Sequence, residues 1–458
     1  MRKRIGIVFA VVLAATVVLA LAGGAWAQAG GSAAQTVTAA VSSAAGLTTP
    51  ETPAKVKAAI AKSLTDPAQA KKTAAVIDPK KKPGFLGIPG APPIPYIWGL
   101  LWAIWVGWIF STVGAFGGIM AGVGHITIFG LGDYAKSFGK GHPVNSLFTD
   151  SIRVSNQWLV GLSALISSFN YYRLGRLVLP LGLCLAIGSV AGSYLIPELT
   201  AGKINLKSYI GYFGLCVLLL GFILLYETTP RGQRSKKKAK AAAQAFEKQV
   251  AEGSASADKG VKILEGGLGG TALAFGLVLL GALWGNLGKG LFAGAHYISW
   301  GLVIAGVVIG LAITATKTIR FSFYGVEFSF KGYIPIFGGI LIAALASFLG
   351  VGGGFLFVPF LTSVAGLPMF LVAGTSALAV LVGMIISIST YMVAKGVVVE
   401  WGFIGMELIG IFIGSMIGPR TSKYIPDKWL KILFVILAFF VGVRYTMKGF
   451  APQYWPLP

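Results

Sequence analysis

The sequence predicts an all-α polytopic membrane protein. Hydrophobic residues make up 55% of the 458-residue chain and charged residues only 12%, with a mean hydropathy of +0.78. Apolar runs such as 177–195 and 208–226 reach the roughly 17–25 residues that a helix needs to cross a bilayer core. The runs lack the alternation of membrane-barrel strands, and an open sheet cannot satisfy its backbone in lipid. Helices are therefore the predicted spanning elements.

The chain begins with a pattern typical of secretion. Residues 1–27 have a basic start, an apolar core and the small-residue site Ala25-Trp26-Ala27, which predicts a signal peptide. An uncleaved signal anchor is the alternative, and in both cases the following residues begin outside the cytoplasm. Residues 28–95 are rich in Ala, Thr, Ser and Lys, which predicts a low-complexity external tail, mostly disordered, with a short helix near 54–63.

The remaining chain divides at changes of hydropathy and charge. The alternating segment "TIRFSFYGVEFSF" has the period of two and the central Tyr324-Gly325 turn that predict a short β-hairpin. The predicted regions are a first transmembrane repeat (96–228), a basic cytoplasmic loop (229–265), an additional helix pair (266–316), the hairpin (317–333), a second transmembrane repeat (334–449) and a C-terminal tail (450–458).

The two repeats are predicted from matched segments in the same order. The segment "VGAFGG", which starts at Val113, matches "LGVGGG", which starts at Leu349. Further along, "HPVNSLFTDSIRVSN" matches "LPMFLVAGTSALAVL", and "GSVAGS" matches "GIFIGS". These three matches predict a duplication.

Loop charge favours an inverted arrangement of the copies. Cytoplasmic loops carry excess Lys and Arg, so the basic loop after Tyr226 and the earlier Arg173 and Arg176 are expected inside. The second copy places Arg420 and Lys423 inside only when its orientation is opposite. Inversion requires an odd number of crossings per copy. Three full spans with a re-entrant pair at the glycine break provide this, and five crossings would also do so.

The stretch "FLGVGGGFLFVP" (348–359) gathers glycines within an apolar segment. Glycine permits positive φ and close approach of backbone amides to a ligand. We expect two half-helices to meet there near the middle of the membrane, with the N-terminus of the second favouring an anion. Close helix packing is the alternative. The glycines predicted to contact substrate are Gly117, Gly118, Gly352, Gly353 and Gly354.

Polar residues follow the glycine break in each copy. The segment "TDSIRVSNQ" places Asp150, Arg153 and Asn156 near one helical face, with Ser151 beside them. A guanidinium in a cavity suits anion oxygens, and Asp150 would neutralise Arg153 when the site is empty or bind a coupling proton. A surface ion pair at the membrane interface is the alternative.

Other side chains extend the predicted site. Thr375 and Ser376 take the matching place in the second copy and offer hydroxyl groups, although a helix cap would also explain them. Glu407, inside an apolar span, is the second proton-coupling candidate after Asp150, with a position facing a polar crevice as the alternative.

Several chemistries are not expected. His125 and His142 lack metal-ligand spacing, so we predict no metal, and no cofactor is predicted. There is neither a phosphate-binding loop nor a visible set of catalytic groups, so an enzyme is not expected. The formal charge of +23 comes from basic residues beside predicted spans, which argues against nucleic-acid binding.

The motifs of the second half resemble a known family. "LGVGGGFLFVPFL", the following proline and "GTS", and "GIFIGSMIG" are similar to the sulfite exporter TauE/SafE family. Residues about 335 to 448 resemble it well, and 97 to 228 resemble it as a more diverged copy. The resemblance implies a transporter in the bacterial inner membrane for sulfite, sulfonates or related anions.

The predicted function is secondary transport. We expect export of sulfite, an organosulfonate or a related small sulfur-containing anion by alternating access of the two repeats. A non-transporting membrane scaffold that holds an envelope partner is the alternative. The expected partners are the anion and the lipid bilayer, with no nucleic acid, and a homodimer is left open.

Overall fold

The computed structural model describes residues 45–113, 117–204, 206–229, 237–252, 260–266, 268–288, 294–350, 353–425 and 427–451. The predicted signal segment 1–27 lies outside the described residues, as does Gly352 of the predicted glycine site.

The described part of the N-terminal tail is folded, so the prediction of a mostly disordered tail is wrong there. Helix α1 (Ala54–Leu64) includes the short predicted helix, and α2 (Pro67–Val76) follows it. The side chain of Asp66 caps the start of α2 by accepting a hydrogen bond from the backbone N–H of Ala68, and Pro67 occupies the first helical position. Val56 and Ile60 are completely buried, because α1 packs against the membrane-embedded helix α6 defined below. Tertiary burial thus orders a segment whose composition alone suggests disorder.

The further helices in the described residues mostly follow the predicted apolar runs, but two of them, Leu131–Ser137 and Lys237–Ala251, were not predicted, and the second lies within the predicted basic loop. The further helices are α3 (Tyr96–Val113), α4 (Gly117–Val123), α5 (Leu131–Ser137), α6 (Pro143–Arg173), α7 (Leu179–Thr200), α8 (Leu206–Thr228), α9 (Lys237–Ala251), α10 (Leu268–Leu287), α11 (Ala295–Ala315), α12 (Tyr333–Leu349), α13 (Gly354–Pro359), α14 (Met369–Ser389), α15 (Trp401–Thr421) and α16 (Asp427–Phe450). Three of them continue as π-helical turns: α4 into Gly124–Ile128, α13 into Phe360–Val364 and α14 into Thr390–Ala394.

Several of these helices are long enough to span a membrane. Among the described residues, six helices are long and apolar enough to cross a membrane: Leu179–Thr200, Tyr209–Tyr226, Leu268–Leu287, Ala295–Ala315, Met369–Ala394 and Trp401–Tyr424. The protein is therefore a helical membrane protein, as predicted.

The glycine breaks separate helices of unequal length. Helix α12 has 17 residues, about 26 Å at 1.5 Å per residue, whereas α13 and its π-helical turn together span about 16 Å. Helix α12 is four residues longer than the predicted run 334–346, yet it is shorter than the six candidate spans, so the half-helix arrangement stays a prediction. Gly350 and Gly353 have φ of +64° and +71°, which is the backbone freedom for which the sequence favours glycine. The short helices α4 and α13 contact each other.

Two helix pairs run parallel through close glycine contacts. Helix α3 packs along α15, where Gly107 lies against Ile411 and Gly414 lies against Ile104. Helix α7 packs along α12 in the same way, since Gly188 lies against Ile336. Each pair joins the first helix of one predicted copy to the fourth main helix of the other.

Two further pairs run antiparallel. Helix α6 packs against α14, with Tyr171 beside Gly374 at one end and Arg153 beside Tyr391 at the other. Helix α8 packs against α16, with Gly214 beside Thr446. Equivalent helices of the two predicted copies therefore point in opposite directions where they meet.

A small sheet lies between the two halves of the sequence. Strands β2 (Thr318–Phe323) and β3 (Val326–Lys331) form the predicted hairpin, and Tyr324 and Gly325 at its turn both have positive φ, as a two-residue hairpin turn requires. Strand β1 (Lys262–Glu265) adds to β2, which the sequence analysis did not predict. Helix α9 packs on this sheet through Phe246, which also contacts Phe370 at the start of α14.

Candidate functional site

Helix α6 carries a buried ion pair in its second and third turns. Arg153 Nη1 donates to Asp150 Oδ1 at 3.0 Å, and the two residues are 0% and 3% exposed. The second carboxylate oxygen of Asp150 accepts from the backbone N–H of Gly202, at 2.6 Å, in the turn after α7. The alternative of a surface ion pair is therefore wrong. A buried ion pair is stable only when further hydrogen bonds compensate for desolvation, and these contacts supply them.

Arg153 also reaches the glycine break of the second copy. Its Nη2 donates to the carbonyl of Ser347 at 2.8 Å, in the last turn of α12, and its guanidinium lies 4.9 Å from the centre of the Tyr391 ring. A Cβ on Gly350 would lie 2.7 Å from the Cβ of Arg153, so only glycine allows this approach. The Nε of Arg153 has no hydrogen-bond partner among the described residues. One N–H of a fully buried guanidinium is thus left for another acceptor.

Side chains from α6 and α8 close the ends of the helices that precede the breaks. The hydroxyl of Tyr209 donates to the carbonyl of Leu349, and Arg153 binds the carbonyl of Ser347 as described. At the other break the hydroxyl of Tyr171 donates to the carbonyl of Ser111 at 2.8 Å. The last carbonyls of a helix lack partners within the helix, and in an apolar interior a side chain must provide them.

A cavity of about 580 Å³ leads to Asp150 from the side of the N-terminal helices. Its charged lining residues come from α1, the α1–α2 turn, α6 and the turn before α15; they are Lys55, Lys62, Asp66, Asp150 and Lys395. Lys395 is paired with Glu198 at 2.7 Å, and Lys55 donates to the carbonyl of Lys395. The folded N-terminal segment therefore covers a polar cavity, and Asp150, the partner of Arg153, is part of the lining of that cavity.

Thr375 and Ser376 lie apart from this cluster. Thr375 accepts a hydrogen bond from the backbone N–H of Val178 at 3.2 Å, and the hydroxyl of Ser376 donates to the carbonyl of Ala373. Both lie near the start of α14, about 24 Å along the helix from Tyr391, which contacts Arg153. The structure does not bring them together with the arginine.

The other predicted residues are buried at several points around α6. Gly117 packs against Phe110, Gly118 is buried in α4, and Gly353 and Gly354 form the start of α13. Ser151 is buried, and its hydroxyl has no partner among the described residues.

A second buried cluster involves a residue that the sequence analysis set aside. His125, in the π-helical turn after α4, lies with Nδ1 2.5 Å from Asn156 Oδ1 and Nε2 3.0 Å from Glu407 Oε2. All three residues are at most 1% exposed. Phe129 and Phe403 contact the imidazole edge to face. We name this set of three residues the His125 cluster.

The sequence contained a weak signal for this cluster. Glu407 was predicted as a proton-coupling candidate, whereas His125 was tested only for metal-ligand spacing. A histidine within a short apolar helix next to a glycine break is itself a costly residue. Its partners lie 31 and 282 positions away along the chain, and spacing rules cannot detect such a pairing.

The comparison with known proteins concerns the segment that begins just before α10 and ends within α16. Residues 266–445 match the family model of the sulfite exporter TauE/SafE family. This TauE/SafE match confirms the resemblance for the second predicted copy. It also includes the additional helix pair and the hairpin, which precede the segment 335–448 for which the sequence predicted the resemblance. It does not include 97–228, where the TauE/SafE resemblance remains a prediction. No curated protein and no solved structure matches the chain.

Proposed function

We propose that the protein is a secondary transporter that exports sulfite, an organosulfonate or a related small sulfur-containing anion. The TauE/SafE match over 266–445 supports a membrane transporter of such anions. The observation that carries the proposal is Arg153, a fully buried guanidinium with a free N–H beside a helix break. A scaffold for an envelope partner would have no need for such a residue. The proposed location is the bacterial inner membrane.

The proposal includes two copies, 96–228 and 334–449, in opposite orientation. The antiparallel packing of α6 on α14 and of α8 on α16 supports it, because each pair joins equivalent helices. The packing of α3 on α15 and of α12 on α7 also supports it. Each contact joins the first helix of one copy to the fourth main helix of the other, so a two-fold axis would make the two contacts equivalent. In this arrangement the N-terminal helices, Gly202 and Lys395 face the outside, and the sheet with α9 faces the cytoplasm.

The proposed anion site lies around Arg153. With no anion bound, Asp150 and the end of α12 satisfy two of its N–H groups. An oxyanion would bind the free Nε together with Nη2 on the same edge of the guanidinium, where it would compete with the carbonyl of Ser347, since a guanidinium binds paired oxygens well. The backbone amides at the start of α13, from Gly353 and Gly354, are the second proposed contact. Asn156 and Ser151 remain predicted contacts on the same helix.

Alternating access would then move one copy against the other. The cavity of about 580 Å³ provides the outer path, because Asp150 is part of its lining. On the opposite side, Phe246 of α9 packs beside the start of α14, near Thr375 and Ser376. We propose that these hydroxyls line the inner path rather than contact Arg153.

The test is flux in proteoliposomes. The purified full-length protein is reconstituted, and uptake of radiolabelled sulfite, thiosulfate and sulfoacetate is compared with that of protein-free vesicles. We expect saturable flux of at least one anion, and its loss in Arg153→Ala. Arg420→Ala is the matched control, because Arg420 also donates to a helix carbonyl, that of Met416, but is exposed. If the wild type shows no flux above that of empty vesicles for any of the three anions, the proposed transport of these anions is refuted and the scaffold interpretation is favoured.

A further inference from the structure

The His125 cluster joins both predicted copies at one buried point. His125 lies after α4 and Asn156 lies on α6, both in the first copy, while Glu407 lies on α15 in the second. Helix α15 is also the helix against which α3 packs. The His125–Glu407 hydrogen bond therefore connects the two predicted copies, and a movement that separates them at this point would break it.

The hydrogen-bond geometry fixes how many protons the cluster holds. In this orientation of the Asn156 amide, Nδ1 faces the carbonyl oxygen, which is an acceptor only, so Nδ1 carries a hydrogen. Nε2 and Glu407 Oε2 are 3.0 Å apart and need one more hydrogen between them. The cluster thus contains one proton more than a neutral imidazole beside a carboxylate. Whether that proton resides on nitrogen or on oxygen, the pair has no net charge.

Loss of that proton has a structural consequence. A neutral imidazole with hydrogen on Nδ1 would turn a lone pair toward the Glu407 carboxylate, and two acceptors at 3.0 Å repel each other. The Glu407 oxygen Oε1 and the Asn156 Nδ2 have no partners among the described residues. The deprotonated pair would therefore require either separation of α15 from the π-helical turn or a turn of the Asn156 amide.

Among the described residues packed around His125, Glu407 is the charged group that faces the imidazole. The rings of Phe129 and Phe403 cover the imidazole, and from α16 the hydroxyl of Tyr445 bonds to Thr127, two positions along the turn. Arg153 lies one helical turn before Asn156 on α6, where Asp150 pairs with it. Ionisable groups buried among membrane helices are costly and commonly belong to proton pathways.

We propose that His125 and Glu407 form the proton-binding site that couples anion transport to a proton gradient, with Asn156 as the residue that positions the imidazole. The proposal rests on the proposed function, because coupling requires transport. One proton enters or leaves the pair per cycle, and its departure requires either separation of α15 from the π-helical turn or a turn of the Asn156 amide. No other group changes its covalent state.

The first test separates exchange from net transport. Proteoliposomes of the full-length wild type, Glu407→Gln and His125→Asn are assayed with labelled thiosulfate and sulfoacetate, which hold one charge state near neutral pH. We expect pH-gradient-driven net flux to fall by about tenfold or more in both variants, as expected on removal of a charged hydrogen bond. Anion exchange without a gradient should persist in Glu407→Gln, which keeps the shape of the side chain. Glu265→Gln, at an exposed strand position, is the matched control.

The second test does not depend on transport. Infrared difference spectra of the purified protein between two pH values should contain carboxyl and imidazole bands that disappear in both variants. The proposal is overturned if wild-type spectra lack such bands, or if Glu407→Gln keeps full gradient-driven flux. Absence of wild-type flux, by contrast, would refute the proposed function, and the spectra would still report whether the pair binds a proton.

Discussion

The Asp150–Arg153 pair makes a quantitative prediction about stability. In Arg153→Ala, the Asp150 carboxylate stays buried with the N–H of Gly202 as its remaining described partner. Breaking a buried ion pair in this way costs about 3–5 kcal/mol. In Asp150→Asn, Arg153 keeps the Ser347 carbonyl and the Tyr391 ring, so we expect a loss of about 1–3 kcal/mol, typical of one unsatisfied buried group.

The double variant Asp150→Asn/Arg153→Ala discriminates best. Once no carboxylate is present, removal of the guanidinium leaves no uncompensated charge, so the double variant should be more stable than Arg153→Ala alone. Chemical unfolding of the detergent-purified protein measures the four free energies, and the coupling should be about 1–3 kcal/mol. Arg153→Lys should not restore stability fully, because an ammonium cannot reproduce the planar fork. Additive effects of the two single changes would refute the reasoning.

Three further predictions concern the glycine break and the N-terminal helices. Gly350→Ala should cost about 1–3 kcal/mol more than Gly366→Ala in unfolding assays, because both glycines have φ near +64° but only the first has a neighbour, the buried arginine, in the way. Burial lowers the pKa of His142 below its ordinary value of 6.5. Its Nδ1 accepts a hydrogen bond from the backbone N–H of Val144 at the start of α6, and its Nε2 lies 3.0 Å from Thr73 Oγ1 on α2. That stabilisation is therefore present above pH 6.5 and is lost as pH falls through the lowered pKa, so hydrogen exchange in α2 should increase on acidification in the wild type but not in His142→Asn. Glu400→Ala removes the carboxylate that accepts the backbone N–H of Leu86, and proteolysis of 77–95 should become about tenfold faster, whereas unchanged cleavage would show that this contact does not hold the segment.

Hydropathy predicted the spans well because burial in lipid leaves few options. A run of apolar residues must be helical in a bilayer, and every predicted run corresponds to a helix within a few residues. The hairpin was equally predictable, since Tyr324-Gly325 sits between strands of period two. In contrast, α1 and α2 have a composition close to that of disordered segments. They fold because α1 packs against α6 of the membrane domain, and the sequence of the N-terminal segment alone does not reveal this packing.

The candidate site was only partly predictable. Asp150 and Arg153 were found because helical spacing places them together on one helix. Thr375 and Ser376 were assigned to the same site by matching the predicted copies, but α14 packs antiparallel to α6, so the matching position lies at the opposite end of this helix pair. The His125 cluster depends on three helices far apart in sequence. The packing of α15 beside the π-helical turn and α6 brings these residues together.

The contact of α3 with α15 also bears on how the protein is made. Helix α3 is synthesised about 300 residues before the helix that covers its glycine face. At about 5–20 residues per second, the ribosome needs roughly 15–60 s to supply that partner. During this interval the newly inserted first copy must keep an uncovered groove in the membrane. Assembly of either copy can therefore finish only after the end of the chain has been translated.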